Sequence, residues 1–219
     1  MTQAPHPLLD ILLAAAAGRF PPVDGAVTVL PPLPSGLELI VAFTGHAVVA
    51  TALSLDELER AGADGYGGAV TPDVQRLIAG DRGWIGTQDL ILVGSGLGDD
   101  GSHPTLPRRD DLADHPRVAH ALAIRDEVEV YADERGLATV AHGAAGRPEI
   151  SLELEPGRQG TGAGQGLLCA ARRLLPAGTT VFAAVAPGNA RSLRLFLKQG
   201  FTPVGAEIVI CPDRSGSGP

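Results

Sequence analysis

Polar and apolar positions follow two periods along this chain, and the periods mark its elements. Leu8 to Ala17 is an apolar, helix-favouring run that Gly18-Arg19-Phe20-Pro21-Pro22 breaks. Val27 to Leu30 reads as a short strand, followed by the Pro31-Pro32-Leu33-Pro34 linker. Leu37 to Phe43, Thr44-Gly45 and His46 to Thr51 read as a β-hairpin with a short turn. Ser54-Leu55-Asp56-Glu57 combines an N-cap with an acidic first turn, and Thr71-Pro72-Asp73 puts proline at a first helical position. Further on, Asp89 to Val93 reads as a buried strand and Leu112 to Ile124 as a helix. Glu127 to Tyr131 alternates, Asp133 to Gly136 turns, and Leu137 to His142 returns. Glu149 to Glu155 alternates strictly, with Glu149, Ser151, Glu153 and Glu155 on one face and Ile150, Leu152 and Leu154 on the other. Pro156 closes that strand, since it cannot donate to a ladder.

The segment after Pro156 carries the most information. Gln159-Gly160-Thr161-Gly162-Ala163-Gly164 lies between the alternating strand and the helical run Leu167 to Leu175. Strand, glycine loop and helix in series gather backbone N–H groups at a helix N-terminus, which favours an anionic phosphate by hydrogen bonding and by the helix dipole. Glycine lets the backbone approach the anion closely. The Walker pattern is absent, because no Lys-Ser/Thr comes after the glycines and the one lysine of the chain is Lys198. The dinucleotide spacing also fails here. Gly96 to Gly101 does satisfy that spacing after a strand. However, the next residues are Ser102-His103-Pro104-Thr105-Leu106-Pro107, which is no helix, and Asp99 and Asp100 would repel a pyrophosphate. That segment reads as a surface loop.

Gln159-x-x-Gly162-x-Gly164 resembles the Q/R-x-x-G-x-G/A pyrophosphate loop of the GNAT superfamily of acyl-CoA-dependent N-acyltransferases. A second block, Asn189 to Phe201, resembles that family's late helix, and the strand-like Thr180 to Val185 separates the two in the family's order. The resemblance spans roughly residues 85 to 211, with its specific motifs in the last sixty or so. It implies an α/β (α+β) fold, with a mixed, mostly antiparallel sheet flanked by helices. The GNAT domain would occupy residues 83–219. Residues 1–82 would form an extra α/β region of unknown role, conceivable as a degenerate half-copy of the same fold.

The resemblance also implies chemistry. An amine attacks the thioester of acetyl-CoA directly, within one ternary complex. Backbone groups of Gln159, Gly160, Gly162, Ala163 and Gly164 would hold the diphosphate, with Arg158 as an added phosphate contact. The strand splits from its neighbour near Leu154, where backbone groups would bond pantetheine and polarise the thioester. Asn189 matches a pantetheine-bonding position and suits an N-cap equally well. A carboxylate facing a dry cleft can act as base, and Glu153 is the first choice. His142 ends the preceding strand and is the alternative, imidazole being the side-chain type suited to general-base work. Phe196 replaces the family's usual tyrosine and cannot donate a proton. Ser192, one turn earlier on the same face, is then the nearest hydroxyl for the sulfur, while Tyr66 is a more remote candidate. The departure at Phe196 leaves a second reading open: a weak or inactive CoA-binding relative with a regulatory or structural role.

Composition narrows the partners. A formal charge of −8 argues against a nucleic-acid surface. It is compatible with a small-molecule or peptide amine. The Leu8 to Ala17 run lacks a basic flank and is too short to span a bilayer, so no membrane partner and a cytoplasmic location are expected. A homodimer is among the possible assemblies. Two cysteines, Cys169 and Cys211, read as free thiols, and neither has a His/Asp pattern for nucleophilic catalysis. His46, His115 and His120 lack metal-ligand spacing and read as structural or surface residues, so no metal is expected.

Overall fold

The computed structural model describes residues 5–215. They form a mixed α/β architecture of six α-helices and nine strands, mostly antiparallel in their pairing. Two compact units divide the chain, and no single cut in the sequence separates them.

Unit 1 takes the described residues up to Ile91, together with Ala186–Gly188 and the chain from Val204. It contains α1 (Pro7–Ala16), β1 (Val27–Leu30), β2 (Glu38–Phe43), β3 (His46–Ala50), α2 (Leu55–Arg60) and α3 (Pro72–Ala79). The first part of β4 (Trp84–Ser95) and most of β9 (Thr202–Cys211) complete it. Its strand order is β1-β3-β2-β9-β4. The β2–β3 hairpin and the start of β1 fall where alternation predicts. β4 extends further than Asp89 to Val93, because Gly86 lets the backbone lie against Val209 O, where a Cβ would sit 3.0 Å away. The capping box at Ser54 is complete, with Ser54 and Glu57 each bonding the other's backbone N–H. Thr71, by contrast, gives its hydroxyl to Gly68 O and caps nothing.

One core of unit 1 packs Leu58, Val74 and Ile78 from the helices on Ile40, Val49, Ile208 and Ile210 of the strands. Leu58 is wholly buried. Leu58→Ala is expected to lower stability by about 2–5 kcal/mol through lost transfer energy and a residual cavity, a change that a urea titration reads directly.

Unit 2 runs from Leu92 to Val185 and from Asn189 to Pro203. It contains the rest of β4, α4 (Pro116–Ile124), β5 (Asp126–Asp133), β6 (Gly136–His142), β7 (Pro148–Leu154), α5 (Ala163–Arg173), β8 (Thr180–Val185) and α6 (Ala190–Lys198). Its strand order is β4-β8-β7-β6-β5. The helix expected from Leu112 starts later. Asp110–Leu112 is a single 3₁₀ turn, and His115 is extended before Pro116, as a residue preceding proline prefers. The His115 ring then accepts the Arg117 N–H as an N-cap.

Candidate functional site

β7 and β8 run parallel, and their register pairs Glu149 with Phe182 near the start of β7. The antiparallel β6–β7 ladder, in contrast, continues to Gly136↔Leu154. The β7–β8 register thus lies near the start of β7, and the far end, at Leu154, is paired with Gly136 of β6. Beyond Leu154 the chain enters the turn from Gly157 to Gly162, which is exposed throughout. Gly162 is the N-cap of α5 at φ 87, in the left-handed region that favours glycine. Gly162 has no side chain to cap the helix, and the Thr161 hydroxyl accepts the Ala163 N–H at 3.4 Å. Gly166 N donates to Gly162 O at 3.1 Å, so the amides of the residues just before it belong to the first turn, whose N–H groups have no helical acceptor.

The sequence candidates divide in this frame. Leu154, Gly164 and α6 converge: a Cβ on Gly164 would lie 3.1 Å from Leu195 Cδ2 and 3.4 Å from Leu154 Cδ1. Gly164 thus lets α5 start close against the end of β7. Asn189 is the N-cap of α6, accepting Ser192 N at 3.1 Å. Ser192 shares a helix face with Leu195 and Phe196. Gln159 turns its side-chain oxygen back to Gly157 N, and Arg158 Nε donates to Glu134 O. Both side chains hold the turn in shape. Gly160 has open space where a side chain would be.

Phe196 is buried edge-on to Phe201, ring centroids 5.0 Å apart, and it packs. Glu153 is exposed, with Oε2 3.1 Å from Arg117 Nε of α4. His142 stands opposite Pro148, six residues from Leu154 along β7, or about 20 Å at strand rise. Its Nδ1 lies 3.1 Å from Glu127 Oε2. The structure does not bring His142 to the end of β7 where the glycine turn begins. Tyr66 rests its ring on Gly25, within unit 1.

The polar face of β7 is not uniformly exposed. Glu149 and Ser151 are both buried. The Ser151 hydroxyl bonds Thr139 on β6, at 2.7 Å. Glu149 accepts Arg125 Nε at 2.8 Å on one oxygen and Arg147 Nη2 at 2.9 Å on the other. Burial pushes the Glu149 carboxyl up, but the Arg147 and then the Arg125 guanidinium outweigh it and hold the group below its usual range. Arg147 also lies over the Phe182 ring, 5.4 Å from its centroid. This cluster fixes β7 where it meets β8.

Arg135 escaped the sequence reading. It sits in the β5–β6 turn, and its Nη1 would lie 2.9 Å from a Cβ on Gly166. Asp133 clamps it through Nε, and that bond is the main reason the Asp133 carboxyl titrates below its usual range. The Asp133-x-Arg135 spacing at a turn was the available signal. Near the first turn of α5, this guanidinium adds positive charge that suits an anion.

No family model matches the chain, and no curated protein matches it. Among solved structures, it is similar to a protein provisionally described as an acetyltransferase of the GNAT family, from Novosphingobium aromaticivorans DSM 12444. The TM-score is 0.34 and the identity 17%, over 59% of this chain and 66% of that one. It is similar also to a conserved protein of unknown function from Staphylococcus epidermidis ATCC 12228, with TM-score 0.35 and 16% identity, over 59% and 62%. The chain spans less than two thirds of either protein's length. Likeness at this level assigns no activity.

Proposed function

We propose that unit 2 binds acetyl-CoA and transfers its acyl group to a primary amine by direct attack in a ternary complex. One observation carries the reading: a parallel strand pair registered at Glu149–Phe182 leaves the end of β7 beside a helix that starts at a glycine N-cap. Diphosphate would rest on the amides around Gly162, Ala163 and Gly164, where donors and helix dipole both favour negative charge. Pantetheine would run between Leu154 and the start of α6, near Asn189 and Ser192. Backbone groups at Leu154 would polarise the thioester carbonyl. Glu153, on the adjoining strand position, would take the ammonium proton through water. Ser192 would hydrogen-bond the departing sulfur.

A thiol-release assay with acetyl-CoA and a panel of primary amines tests this. Release is expected, and Glu153→Gln should lower turnover by about 10²-fold or more. The buried Phe196 supports a second reading, in which the unit binds CoA without turnover. CoA binding with no thiol release across the panel would select it.

A further inference from the structure

Unit 1 holds a hydrogen-bonded chain of acid, imidazole and hydroxyl that the coenzyme reading does not use. Asp24 Oδ1 lies 2.9 Å from His46 Nδ1, and His46 Nε2 lies 2.9 Å from Thr28 Oγ1. An ionised carboxylate only accepts, so the Nδ1 proton belongs to the bond with Asp24. Nε2 is then the free acceptor, and the Thr28 hydroxyl donates to it. Asp24 is held in place by the Ala26 N–H, at 2.9 Å. That bond, followed by the one from His46, lowers the Asp24 carboxyl below its usual range.

The chain folds these residues together by packing three turns. Gly25 N donates to Gly45 O, and Gly65 N donates to Gly25 O. A Cβ on Gly65 would lie 2.8 Å from both Gly45 O and His46 Cα, so only glycine permits this approach. His46 is consequently buried, whereas Thr28 is half-buried and the Asp24 side chain keeps 43% of its exposure. The surroundings are apolar. Phe43 pairs directly with His46 across the hairpin, and Phe20 packs edge-on to Phe43. Val23 and Tyr66 are exposed on the neighbouring turns, at 66% and 70%.

β1 ends the strand order of unit 1. Ala47 N donates to Ala26 O and Thr51 N to Leu30 O. Ladder alternation therefore turns Ala26, Thr28 and Leu30 toward β3 and the Val29 N–H off the edge. That amide comes directly after the hydroxyl-bearing residue, where a donor can meet an oxyanion formed on Thr28.

We infer that Thr28, His46 and Asp24 form a second reactive site, in which Thr28 is an acyl-accepting nucleophile that hydrolyses small, apolar acyl esters. Thr28 Oγ1 bonds to the acyl carbon as its proton passes to His46 Nε2. The carbon–oxygen bond to the leaving alcohol then breaks, and His46 returns that proton to the departing oxygen. Water attacks the acyl-Thr28 ester and gives a proton to His46. The bond to Oγ1 breaks, Oγ1 recovers the proton, and a carboxylic acid leaves. Asp24 orients the imidazole and stabilises its charged form throughout. The site lies within unit 1 and stands whether or not unit 2 binds a coenzyme.

The test uses the full chain with p-nitrophenyl acetate and a fluorophosphonate probe. A covalent phosphonyl adduct on the peptide containing Thr28 is expected, together with hydrolysis above the buffer rate. Thr28→Val keeps the shape and removes the hydroxyl. It should abolish the adduct and lower hydrolysis about tenfold or more, and Asp24→Asn should cost a similar factor. Thr28→Ser should retain the adduct, and with the wild-type peptide map it decides the question even where Thr28→Val fails to fold. An adduct on another residue, no adduct at all, or hydrolysis unchanged in a folded Thr28→Val protein would overturn the assignment.

Discussion

Glu149→Gln is expected to lower folding stability by about 3–5 kcal/mol, because it removes the buried carboxylate charge that the Arg125 and Arg147 guanidinium groups share. The Arg125 and Glu149 side chains retain 8% and 3% of their exposure, and Arg147 only 1%, so solvent screens the cluster little. The same carboxylate gives wild type a pH signature. Its folded pKa lies below the ordinary 4.5. A depressed carboxyl contributes stability in full above the unfolded pKa and loses it as pH falls through the folded one. Wild type should therefore weaken progressively below about pH 4.5, and Glu149→Gln should lack that component. Urea midpoints measured from pH 3 to 7 separate the two proteins. Equal stability at pH 7, or equal acid slopes, would show that the cluster does not bear on folding.

Gly162→Glu is expected to weaken CoA binding by about 100-fold or more, equivalent to roughly 2.7 kcal/mol. Two effects combine. The backbone at φ 87 disfavours any side chain by about 1 kcal/mol. The carboxylate then stands where a diphosphate would lie and repels it. Gly162→Ala separates these effects. Nothing lies within 4 Å of a Cβ there, so alanine brings the backbone strain without the charge and should cost only a small part of the loss. Calorimetry with CoA reads both variants. Wild-type affinity in Gly162→Glu would remove the turn from the binding site.

Local patterns in the sequence were enough for most elements. The β2–β3 hairpin, the capping box at Ser54, the Asn189 cap and the strand Thr180–Val185 each depend on a few neighbouring residues, and all stand where the pattern predicts. Long-range pairing was not legible. Thr202–Cys211 pairs β2, more than 150 residues earlier, through register pairs such as Ile40↔Ile208 that no local period reveals. It ties the last strand to unit 1 rather than to the glycine loop that precedes it in sequence.

The candidate site divides in the same way between local and long-range signals. The glycine turn is a contiguous motif, and its context of strand, turn and helix could be read directly. The carboxylates of β7 were harder, because alternation gives their face and not what covers it. Arg117 of α4 and Arg125, directly after it, lie against that face, which holds one buried cluster and one surface pair. Thr28, Asp24 and His46 gave no signal, since only the packing of three separate glycine turns brings them within hydrogen-bond reach.

The most direct measurement is the backbone amide spectrum of the ¹⁵N-labelled protein during titration with CoA. Amide resonances of Gly162, Ala163 and Gly164 are predicted to shift most and to saturate together at one equivalent, with smaller shifts at Asn189 and Ser192. CoA that binds while those amides stay in place would contradict the account.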